Sequence, residues 1–113
     1  MEDTKKVAFN LSQLMMMELH RLLQRTHDHY LNCQWTKCFH TLRCIKFNVI
    51  QNLTEEERKQ LKEIELKTNL RASTREEKEV LRISTEAYHE MIMDFLEAHG
   101  YLVKEREDHK RMF

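Results

Sequence analysis

Apolar residues recur at helical spacing through most of this chain. Between Asp3 or Thr4 and about Leu31, Ala8, Leu11, Met15, Leu19 and Leu22 form one stripe, and Phe9, Met16, Leu23 and Tyr30 form a second at intervals of seven. Two stripes on one helix predict two partners or one wide buried face. The run Leu14, Met15, Met16, Met17 points all around the helix, since each residue advances it by about 100°. Residues 34–53 predict a second helix through Trp35, Cys38, Phe39, Leu42, Ile45, Val49 and Leu53, with His40, Cys44 and Phe47 on a different side.

Polar residues mark where the remaining helices begin. Thr54-Glu55-Glu56-Glu57 reads as a capping box: Thr54 accepts a first-turn amide hydrogen and Glu57 reaches back, while the acids suit the positive end of the helix dipole. The third helix is short and mostly polar, burying Leu61, Ile64 and Leu70. Ser73 with Glu76, or Thr74 with Glu77, starts a fourth. Its buried stripe is expected to be Val80, Leu81, Ser84, Ala87, Tyr88, Met91, Ile92, Phe95 and Leu96, with Gly100 as its stop. The expected fold is therefore all-α: a single-domain four-helix bundle over residues 1–103 with a long antiparallel N-terminal hairpin, followed by a charged C-terminal tail, 104–113.

Composition narrows the function further. One glycine and no proline in 113 residues leave few loops for a phosphate cradle or a nucleophile elbow. The amino terminus carries acids and does not read as a signal peptide, and no apolar run is long enough to span a bilayer. Three cysteines and seven methionines suit a reducing compartment, so a cytoplasmic protein with free thiols and no membrane contact is expected. Charges balance at 19 basic and 19 acidic residues, which removes a bulk electrostatic case for nucleic acid. Their distribution is uneven. Residues 33–53 hold three bases and no acid, whereas residues 73–100 hold three bases and seven acids, so these segments should attract within the chain or between copies.

The stretch from Tyr30 to Ile45 resembles the turn of a tetratricopeptide-type hairpin, with Cys33, Trp35 and Cys38 at its small, aromatic and small places. Cys33 stands where that family uses glycine, and no second repeat follows. The resemblance implies binding of a partner peptide or helix. Arg21 to His27, Arg82 to His89, and Ala98-His99-Gly100-Tyr101 resemble signatures of the HEPN ribonucleases, in which arginine stabilises phosphate charge and histidine serves acid-base chemistry. Leu22 and Ile83 replace the polar residue that follows the arginine in that family, and Asp94 stands five before His99 where arginine is used.

His27, His29, Cys33, Cys38, His40 and Cys44 lie within 18 residues but form no Cys-x-x-Cys knuckle, so no metal and no cofactor is expected. The excess of apolar surface carries the leading reading: a non-enzymatic interaction or regulatory module, binding another protein or forming a homodimer. Its expected interface is Phe9, Leu14, Met15, Met16, Met17, Leu23, Tyr30, His40, Cys44 and Phe47. A nucleic-acid-associated regulator, resting on Lys37, Arg43, Lys46, Arg21 and Arg25, and an RNase are the alternatives.

Overall fold

The computed structural model describes residues 2–48, 50 and 52–101, with side chains from Gln13 onward. Four helices account for nearly all of them: α1 (Glu2–Leu31), α2 (Trp35–Asn48), α3 (Glu55–Lys67) and α4 (Arg75–Ala98). There is no strand among the described residues. α2 packs against both α1 and α4, and α3 packs against α4; α1 and α4 do not approach one another closely at the backbone.

The helix boundaries follow capping chemistry. At α3 and α4 the Thr54 and Thr74 hydroxyls accept the amides of Glu57 and Glu77, whose carboxylates reach back to the capping amides. The choice between Ser73 and Thr74 falls to Thr74, while the Ser73 amide also donates to Glu77. These backbone hydrogen bonds hold the Glu77 carboxyl below its ordinary range.

Two helices end in the same way. After α4, the Tyr101 amide donates to Leu96 O at 2.8 Å and the Gly100 amide to Glu97 O at 3.1 Å, with Gly100 at φ = +78°. A Cβ on Gly100 would meet nothing within 4 Å, so the backbone conformation, not space, calls for glycine. After α1, the Gln34 amide donates to His29 O and the Cys33 amide to Tyr30 O, with Cys33 at φ = +54°. A side chain in this left-handed conformation is strained. Cys33→Gly is therefore expected to raise the unfolding free energy by about 0.5–1 kcal/mol, read by urea denaturation. A destabilised variant would show that the exposed cysteine side chain makes a compensating contact.

α2 stops short of its apolar pattern. The Ile50 amide closes onto Ile45 O at 3.2 Å, ending the helix at Asn48 and tucking Ile50 and Leu53 into the core from the connection. Thr54 must be extended to cap α3, so helix cannot run on through Leu53 to it. Val49 lies outside the described residues.

The core collects Leu19 and Leu22 from α1, Cys38, Phe39, Leu42 and Ile45 from α2, Leu61 from α3, and Tyr88, Ile92 and Leu96 from α4. Phe39 stacks on Tyr88 with ring centroids 4.4 Å apart. Burial pushes the Cys38 thiol up to about 11, which makes it an inert apolar filler. Val80 and Ala87, expected on the buried stripe of α4, are exposed, and Thr85 is buried in that stripe instead. A stripe nine positions wide exceeds what two neighbouring helices cover, so its flank faces solvent.

Candidate functional site

α2 has 14 residues against 30 in α1, about 21 Å against about 45 Å, so it covers only half of its neighbour. The covered half is fixed by contacts near the turn. Cys38 Sγ lies 3.8 Å from Thr26 O, Thr41 Oγ1 lies 3.3 Å from His29 Nδ1, and Tyr30 meets Trp35 edge to face at 5.3 Å. Toward the amino terminus α1 presents Leu14, Met16 and Met17, which are 59%, 45% and 67% exposed. Phe47, at the far end of α2, is 64% exposed.

The other expected interface residues are divided between core and solvent. Leu23 is partly buried against the core and Met15 is half-buried. Tyr30 is at the margin of exposure, and His40 and Cys44 face outward. The Phe9 side chain, like those of Ala8 and Leu11, lies outside the described residues, as do Leu102 and the tail 104–113.

A groove of about 600 Å³ runs between α1 and α4, lined by Leu23, His27 and Tyr30 on one side and Glu86, His89 and Met93 on the other. Burial lowers the His89 pKa, outweighing the opposing charge of Glu90, and the nearby His27 lowers it further, favouring a neutral ring. The two histidines of the ribonuclease-like spacings thus share a groove. Their arginines are engaged elsewhere: Arg21 binds Glu18 at 2.5 Å, and Arg82 is clasped by Glu79 and Glu86 of its own helix. His99 pairs with Glu57 at 2.9 Å. The histidines and cysteines near the first turn disperse over several faces, and among the described residues no three His, Cys, Asp or Glu side chains are placed to hold a metal ion.

A second groove, of about 740 Å³, lies between the end of α2 and α3. Four cations line it, Arg43 and Lys46 from α2 and Arg58 and Lys62 from α3. The cations of α2 frame Phe47, with Arg43 Cζ 5.6 Å and Lys46 Nζ 4.8 Å from its ring centroid. The single acid among its described lining residues, Glu65, accepts from Lys46 at 2.7 Å and from the buried Tyr88 hydroxyl at 2.5 Å. Burial raises the Glu65 pKa, but these bonds outweigh it and hold the carboxyl below its ordinary value. In the sequence, Arg43 and Lys46 belong to a basic stripe and Phe47 to a separate apolar face. Arg58 and Lys62 are no more than part of a polar helix in the sequence, because nothing in the local pattern places α3 beside the end of α2.

No described helix is long and apolar enough to cross a membrane. Comparison with protein-family models, with curated proteins and with solved structures finds no match to this chain.

Proposed function

We propose that this chain is a non-enzymatic interaction module, a four-helix bundle whose α1–α2 antiparallel hairpin binds another protein through its uncovered apolar faces. One observation carries the reading: Leu14, Met16 and Met17 stand exposed together on α1 near the level where the shorter α2 ends. Large aliphatic and thioether side chains exposed together favour a partner surface, and methionine adapts to its shape. The contacts of Thr26 with Cys38 and of Tyr30 with Trp35 support the antiparallel arrangement, which brings the level of Met17 to that of Phe47. A second copy is the simplest partner, since one self-complementary patch suffices for a twofold dimer. Adaptor or regulatory action in the cytoplasm fits such a module.

The test compares the parent with Leu14→Ser/Met17→Ser by size-exclusion chromatography with light scattering and by capture from lysate. In about 500 mM salt, where contacts between exposed charges are screened, the parent is expected to run as a dimer or with a protein partner, and the variant to lose that state while unfolding at an unchanged denaturant midpoint. A parent that is a strict monomer and captures nothing would sink the reading.

A further inference from the structure

We propose that the cationic groove between α2 and α3 receives the acidic outer face of α4 from a second copy of the chain. The inference does not rest on the α1 surface. It starts from charges left over in a neutral molecule. Lys46 already holds Glu65, whose carboxylate also feels the charge of Arg43, but Arg58 and Lys62 form no ion pair among the described residues. Arg43 Nε is buried there with no hydrogen-bond partner. The exposed Arg58 and Lys62 beside the exposed Phe47 ring form a surface that an acidic, partly apolar group would complete.

The matching surface is on α4. Glu76, Val80, Ile83, Ala87 and Glu90 are all exposed and recur at helical spacing on one face over about 21 Å. Val80 and Ile83 are 58% and 55% exposed, and Glu76 and Glu90 form no ion pair among the described residues. The face thus has an apolar centre between acidic ends, while the groove has Phe47, Ile50 and Leu53 among its cations. Within one copy the two cannot meet. α4 turns Leu81, Tyr88 and Ile92 inward, which points Val80 and Ile83 away from the core and from the groove. A second copy supplies the face that the same chain cannot, in the manner of a helix laid in a charged groove.

Exposed ion pairs are individually weak and screened by salt, so the contact is expected to be salt-sensitive. Sedimentation equilibrium on the full chain tests it, in the Leu14→Ser/Met17→Ser background so that the α1 face does not contribute. Raising salt from about 50 mM to about 500 mM is expected to weaken self-association at least about tenfold. Arg58→Glu/Lys62→Glu and Glu76→Lys/Glu90→Lys should each abolish it, with helical content unchanged by circular dichroism. An equimolar mixture of the two variants should associate again, because the reversed charges match across the contact. A monomer at low salt, or a mixture that stays monomeric, overturns the proposal. So does loss in the groove variant alone, with binding of polyuridylate that the parent shows and this variant lacks, since that assigns the cations to a nucleic acid.

Discussion

Phe39→Ala is expected to lower the unfolding free energy by about 3–5 kcal/mol, the largest effect of any single truncation in this fold. Phe39 is almost fully buried and belongs to the one helix that packs against both α1 and α4. Its ring lies 4.4 Å from that of Tyr88, so truncation removes a stacked aromatic pair as well as apolar area. The void would open at the crossing of α2 and α4, where Leu42, Tyr88 and Ile92 are already fixed by their own neighbours and cannot collapse far. For a domain of this size, whose total stability is of order 5–15 kcal/mol, such a loss leaves a substantial unfolded population. Urea denaturation followed by circular dichroism measures it. Phe39→Leu, which keeps most of the volume, should cost about 1.5 kcal/mol or less. A loss below about 1.5 kcal/mol for Phe39→Ala would show that α2 is not the central element of the core.

Helix starts were legible because their signals are local. Thr54 with Glu57 and Thr74 with Glu77 form their reciprocal bonds within four residues, so no tertiary knowledge is needed to see them. Gly100 was legible for the same reason. The end of α2 was not, because Ile50 and Leu53 continue a helical apolar period while packing from an irregular connection. Thr26, Thr41 and Thr85 break apolar stripes in sequence yet are buried. The first two hydroxyls donate to the carbonyls of Leu22 and Lys37 on their own helices, which makes them tolerable in a core. The candidate surfaces divide in the same way. Exposed apolar residues on α1 lie near the level where the shorter α2 ends, which the lengths of the two apolar patterns could suggest. The cationic groove required knowing that α3 returns beside the end of α2, a long-range fact carried by Lys46 and Glu65, 19 residues apart.

That Lys46–Glu65 contact underlies the second large effect. Glu65→Ala is expected to cost about 2–4 kcal/mol, because it strips a buried tyrosine hydroxyl of its acceptor among the described residues and a half-buried ammonium of its partner. Tyr88 is fully buried, and burial together with the carboxylate pushes its phenol well above the ordinary range, so it acts as a donor at any working pH. Tyr88→Phe alone should cost about 1 kcal/mol, since Glu65 keeps Lys46. The two losses should not add. With both partners gone no buried hydroxyl is left unpaired, and a coupling of about 1–2 kcal/mol is expected from the double-mutant cycle. Acid pH supplies an independent check. The Glu65 carboxyl sits below its ordinary value in the folded state, so its contribution is fully present above about pH 4.3 and disappears as pH falls through the lowered folded value. The stability gap between parent and Glu65→Ala should therefore be constant from neutral pH down to about pH 5 and shrink below it. Additive losses in the cycle, or a gap independent of acid, would show that Lys46, Glu65 and Tyr88 do not act as one unit tying α2, α3 and α4 together.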